Sequence, residues 1–247
     1  MSRKSSPLKG SPEPFGALNR IPIVECGEPL VDLRDACPHV LLRPGCLPYL
    51  RRTVALMLNR ANDRLPEGYR YSVSTALRTL EMQSEMYWRN YNRLKAEKPH
   101  LPVSALRRIT NKYFAAPDYP APPGHTTGGA IDVALLGPDF ETQDVTSPTR
   151  GWEAAYTWSD LIGPEAKRNR MLLVETLLSV GFSNCRDEWW HFSYGDNAWA
   201  VRHGCSVAMY GLAAPPEGFT LVVKPWRQQP ARVGFRTVGP RVFARNA

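Results

Sequence analysis

No C-x-x-C pair occurs in the 247 residues, and the five cysteines (Cys26, Cys37, Cys46, Cys185 and Cys205) form an odd set at irregular spacing. That pattern argues against a disulfide framework and against a thiolate zinc site, and it suits a reducing compartment. No apolar run approaches the roughly 20 residues a membrane-spanning helix requires, so no membrane span is expected. The first twenty residues lack an apolar core of signal-peptide type, which makes a cytoplasmic location the expectation. Acidic residues are missing from residues 218–247, where Lys224, Arg227, Arg232, Arg236, Arg241 and Arg245 stand unopposed. With the basic residues of the first twenty positions, these account for the whole of the formal charge of +8. The body between is near neutral, so no basic binding face is built into the fold and no nucleic-acid partner is expected.

What remains is an ordinary globular composition, 43% hydrophobic and 22% charged, with enough chain for one substantial core. The organisation expected is an arm over 1–20, one domain over 21–217 and a basic extension over 218–247. Apolar residues at helical spacing (Leu50, Val54, Leu58) place a helix within 47–65, closed by Pro66 and Gly68. Residues 69–76 read as a strand, 79–98 and 103–114 as helices, and the Pro- and Gly-rich stretch 115–129 as a loop. Ala130 to Leu136 is short and apolar between glycine and proline, as a buried strand is. Residues 137–163 show no periodic apolar face. Pro164 opens a helix through Val180, with Gly181 placed to terminate it. Residues 188–194, 198–202 and 206–210 read as further strands. Helices early and strands later, without βαβ alternation, give an α+β class: a single domain with a central antiparallel sheet flanked by helices.

Two short segments carry chemistry. P-P-G-H-T-T-G-G-A-I-D places His125 at the entry to a strand and Asp132 inside it. A carboxylate between Ile131 and Val133 is costly in an apolar strand unless it is paired or bound to metal. D-E-W-W-H-F places Glu188 three residues before His191. Two imidazoles and a carboxylate make a three-ligand zinc set that leaves a coordination position open, and a further carboxylate nearby can take a proton from water. Residues three apart on a regular strand face opposite sides. The W-W-H-F stretch therefore requires a bend or bulge near Trp189–Trp190, or a Glu188 just outside the strand. Trp189 and Trp190 are assigned to packing, and His39, His100 and His203 to surface or structural places.

The segment His125-Thr-Thr-Gly128-Gly-Ala130-Ile-Asp132 resembles the H-x-x-G-x-A-x-D core of the D-alanyl-D-alanine dipeptidase family of zinc peptidases, relatives of the bacterial D,D-carboxypeptidases. Glu188-Trp-Trp-His191 is similar to that family's E-x-W-H segment, in the same order. The likeness spans most of residues 28–210, including Asp32-Leu33-Arg34. It implies one Zn2+ per chain on His125, Asp132 and His191, with Glu188 as general base. It also implies an oxyanion-stabilising role for Arg78 in Thr75-Ala-Leu-Arg78, against a plain salt-bridging role. The substrate implied is a small D,D-dipeptide, D-alanyl-D-alanine, hydrolysed in the cytoplasm in a cell-wall or peptidoglycan setting. The alternatives are a D,D-carboxypeptidase acting on peptidoglycan precursors and a non-catalytic zinc-bearing interaction domain. Pro123 stands where family members commonly have a serine. Asp144 and Glu153 are placed by position alone to hold a substrate ammonium.

Overall fold

The computed structural model describes residues 15–216, and its compact unit runs to Pro215. The expected basic extension, residues 218–247, lies outside the described residues. Helix α1 (Phe15–Leu18) falls inside the expected arm, and the Leu18 and Ile21 carbonyls accept hydrogen bonds from the Asn197 amide.

Strand β1 (Leu30–Asp32) leads into α2 (Leu33–Ala36), whose first turn is capped by the Asp32 carboxylate. Strand β2 (Leu41–Leu42) follows, and then β3 (Tyr49–Arg51), antiparallel to β1. The helical spacing that began at Leu50 is thus half strand. Leu50 is fully buried on β3, and α3 covers only Arg52–Asn62. Cross-chain bonds overrule the local pattern there: Arg51 N–H donates to the Gly128 carbonyl and Arg52 N–H to that of Pro29. Within α3 the buried Val54, Ala55, Met57, Leu58 and Ala61 form one face, each large side chain worth about 1.5–3 kcal/mol on burial.

Strand β4 (Arg70–Thr75) and helix α4 (Leu80–Glu97) fall where the sequence puts them, with Thr79 capping α4 through a bond from Met82 N–H. Helix α5 (Val103–Thr110) is shorter than its spacing suggested. Strand β5 (Ala130–Leu136) and helix α6 (Pro164–Ser179) match expectation, and Gly181 follows α6 at φ 109°. Strand β6 (Ser183–Asn184) is a brief edge, and β7 spans only His191–Ser193.

Two expected strands are absent from the described residues. Residues 197–203 form helix α7 (Asn197–His203), capped by Asp196 through Trp199 N–H and closed by Gly204 at φ 67°. Residues 206–210 make a single bridge, Ala208 with Ile23. The central sheet runs β2-β4-β5-β7-β6. It is mixed, because β2 lies parallel to β4 while the other pairs are antiparallel. The α+β class holds. Ile131, Val133 and Leu135 of β5 face the main core with Val73, Leu173 and Phe192, which leaves Ala130, Asp132 and Ala134 on the opposite face.

Candidate metal centre and active site

The alternation of β5 turns Asp132 away from the core, and strand pairing brings it its partners. Asp132 and His191 are direct partners across β5 and β7, so their side chains rise from the same face of the sheet. His191 Nδ1 lies 3.0 Å from Asp132 Oδ1. His125 enters from the 3-10 turn Gly124–Thr127, immediately before β5, and its Nε2 lies 3.2 Å from the same oxygen. The three donor atoms fall within 4.8 Å of one another.

The approach of the turn depends on two glycines. A Cβ at Gly124 would sit 2.6 Å from Asp196 Oδ2 and 3.7 Å from His191 Nε2, so only glycine fits there. Gly128 has φ 71° and faces Leu30 at 2.6 Å from where a Cβ would be, a left-handed conformation that glycine adopts without penalty. On the far side the β4–β5 register shifts between Val73 and Thr75, leaving Ser74 as the extra residue and placing Thr75 opposite Asp132. A bulge bends its strand. Beyond it the Ala76 carbonyl meets His125 Nδ1 at 3.0 Å, and Arg78 N–H donates to the His125 carbonyl at 3.1 Å.

These contacts define how the donors fit a cation. The Ala76 carbonyl can only accept, so His125 Nδ1 carries the proton and Nε2 presents a lone pair towards the Asp132 carboxylate. Two lone pairs at 3.2 Å require a cation between them, a proton or a metal ion. Burial lowers the His125 pKa despite the neighbouring Asp132 charge, which disfavours the proton. A tetrahedral zinc with arms of about 2.1 Å separates its donors by roughly 3.4 Å, close to the spacing found. Burial alone would raise the Asp132 pKa. His125 and His191 overcome that and hold its carboxyl well below the usual range. For His191, burial is outweighed by the bond to Asp132 and the charges of Asp132 and Glu188, and its pKa rises.

Glu188 stands outside β7, the second of the two arrangements its spacing allowed. Its carbonyl accepts from His191 N–H at 3.0 Å, closing a turn over Glu188–His191 that lets two residues three apart converge. Asn184 Nδ2 donates to the Glu188 and His191 carbonyls at 3.3 and 3.0 Å, and Trp189 N–H donates to the Ala155 carbonyl at 2.9 Å. Burial, opposed by His191 and Arg78 and reinforced by Asp132, pushes the Glu188 pKa up to about 7. Arg78 has its pKa lowered by burial, against the pull of the Asp132 and Glu188 charges. The site thus gathers three candidate ligand side chains, one carboxyl balanced near neutrality and one guanidinium.

Residues 107–208 match the protein family described as D-ala-D-ala dipeptidase. A curated D-alanyl-D-alanine dipeptidase from Synechocystis sp. is 27% identical over 218 residues, covering 74% of this chain and 88% of the relative. Over this stretch the chain resembles the D-alanyl-D-alanine dipeptidase family of zinc peptidases. Two solved structures are among those found similar to it. VanYB in complex with D-alanine-D-alanine is 16% identical with a TM-score of 0.44, covering 77% of this chain and 95% of that one. A vancomycin-resistance D,D-pentapeptidase VanY variant in complex with Zn(II) is 17% identical with a TM-score of 0.42, covering 78% and 96%.

The other positional candidates do not join the cluster. Asp144 accepts from the Thr146 and Ser147 amides in a local turn, and Glu153 is exposed on the 3-10 turn Trp152–Ala154. His39, His100 and His203 are exposed, and His203 stacks on Trp199. Three supporting residues carried no motif: Asn184, Gln83 and Asp196. Only Asp196 had a signal, since Gly-Asp-Asn followed by Gly204 is a start and stop for a short helix.

Proposed function

We propose that this protein is a zinc-dependent D,D-peptidase that hydrolyses D-alanyl-D-alanine, with His125, Asp132 and His191 holding one zinc ion. The observation that carries this reading is the convergence of those three donors beside Glu188 and Arg78. When bound, the ion supplies positive charge that acidifies water and polarises a carbonyl.

The protein's own groups do the remaining work. Glu188, with a pKa near 7, accepts a proton from the attacking water and returns it to the leaving amine nitrogen, as one group acting first as base and then as acid. Arg78 places a permanent cation where negative charge develops on the carbonyl oxygen, and a water-poor site strengthens that attraction. His125 keeps its ring orientation through the Ala76 carbonyl.

One observation favours a second substrate. Asp144 is committed to its own turn and Glu153 is exposed, so neither offers a buried carboxylate for a free dipeptide ammonium. Pro123 also replaces the hydroxyl common in the family. A longer D,D-peptide, whose penultimate residue is acylated and uncharged, has no such requirement. The discriminating experiment measures D-alanine released by the zinc-loaded protein from D-alanyl-D-alanine and from an N-acylated tripeptide ending in D-Ala-D-Ala. Faster turnover of the free dipeptide supports the dipeptidase reading. Turnover of the acylated peptide alone establishes a carboxypeptidase, and cleavage of neither removes the D,D-peptidase reading.

A further inference from the structure

Arg78 is held in an unusual way for a charged side chain beside two carboxylates. Among the described residues no carboxylate oxygen lies within salt-bridge distance of its guanidinium. Its side-chain bond is to a neutral amide: Arg78 Nη1 donates to Gln83 Oε1 at 2.7 Å. Gln83 is 1% exposed, in the first turns of α4. Its other end is committed too, because Nε2 donates to the Ala115 carbonyl at 2.7 Å. A flipped amide would set N–H against guanidinium N–H and oxygen against a carbonyl, so the two partners fix one orientation.

We propose that Gln83 is the positioning residue for Arg78, and that its neutrality keeps the arginine's charge available to the reaction. This rests on the reading of Arg78 as the oxyanion-binding group. A carboxylate at position 83 would hold the guanidinium at least as firmly, since charge-assisted bonds are stronger than neutral ones. It would also cancel most of the field that the arginine directs at the developing oxyanion. An apolar residue would leave the charge intact and release the side chain. Gln83 does neither: it fixes the guanidinium through one donor and leaves the other four unopposed by any carboxylate salt bridge. The peptide segments involved are themselves anchored. Arg78 N–H bonds the His125 carbonyl, and Thr79 caps α4. Gln83 thus ties the helix start, the loop at Ala115 and the catalytic arginine into one frame.

The test compares zinc-loaded wild type with Gln83→Glu, Gln83→Met and Arg78→Ala. It reads kcat and KM on whichever D,D-peptide is cleaved, affinity for a phosphinate analogue of the tetrahedral intermediate, zinc per chain and thermal melting. Gln83→Glu is expected to lower kcat and phosphinate affinity about 10- to 100-fold, with KM within about threefold and zinc unchanged. Gln83→Met is expected to lower both as well, and it covers the case in which the buried acid disturbs folding. Wild-type kcat and phosphinate affinity in Gln83→Glu would overturn the neutral-holder role. Wild-type values in Gln83→Met would overturn the positioning role. Arg78→Ala separates the two levels. If it abolishes activity while both Gln83 variants stay normal, only this inference fails; if Arg78→Ala is itself active, the oxyanion reading fails and this inference with it.

Discussion

Asp132 and His191 are direct partners across β5 and β7, with His191 Nδ1 3.0 Å from Asp132 Oδ1, so sheet register itself builds two thirds of the proposed metal set. Asp132→Asn keeps the shape and removes the charge that both imidazoles share. Zinc affinity is expected to fall by two orders of magnitude or more while the fold is retained, since a neutral amide oxygen lacks the charge with which a carboxylate holds the ion. Zinc titration against a competing chelator, with circular dichroism, checks this.

Glu188 gives the pH dependence its sign. Its folded-state pKa is raised from 4.5 to about 7, so ionisation opposes folding. In the metal-free protein this group's contribution is most favourable below about pH 4.5 and is lost as pH rises through 7, a penalty on the order of 2–3 kcal/mol. Metal-free Glu188→Gln is therefore expected to melt higher than wild type at pH 8 and at the same temperature near pH 4. With zinc bound, the added positive charge only lowers the Glu188 pKa, so the acid limb of kcat falls at or below pH 7. An acid limb clearly above 7 would contradict Glu188 as the base.

Gly124 has no room for a side chain. With a Cβ 2.6 Å from Asp196 Oδ2, Gly124→Ala must displace the turn carrying His125 or the α7 cap. A loss of about 1–3 kcal/mol in stability is expected, together with weaker zinc binding. Denaturant melts and zinc titration of the one variant measure both.

Arg170 is fully buried, and its guanidinium donates to the carbonyls of Val145, Ala154 and Tyr156, with the ring of Trp189 5.7 Å away. Arg170→Met removes these donors, leaving the Tyr156 carbonyl only its bond from Ser159 N–H, and loosens the segment that receives Trp189 N–H. Destabilisation of about 3 kcal/mol or more is expected, read as a shift in the denaturation midpoint.

The convergence of the candidate site residues was foreshadowed in the sequence by two motifs with unusual chemistry, a carboxylate in an apolar strand and Glu-x-x-His. The Glu188–His191 spacing allowed two arrangements, and the one found places Glu188 just outside the strand. The long helices α4 and α6 were legible from their length and terminal signals, and β5 from its short apolar run between glycines. What could not be read was set by tertiary bonding. Tyr49–Arg51 is strand because β1 and Gly128 supply partners, although Leu50 continues a helical spacing. Residues 198–202 look like strand by composition, yet the Asp196 cap and Gly204 impose a helix. Gln83 has no signature at all, since a glutamine in a helix is ordinary until its partners are known.

The most direct test is D-alanine release by the zinc-loaded wild type beside Glu188→Gln, with bound zinc quantified in both. Turnover is expected in the wild type, with a loss of about 10²- to 10⁴-fold in the variant at equal zinc content. A Glu188→Gln protein that keeps its zinc and its activity would contradict it.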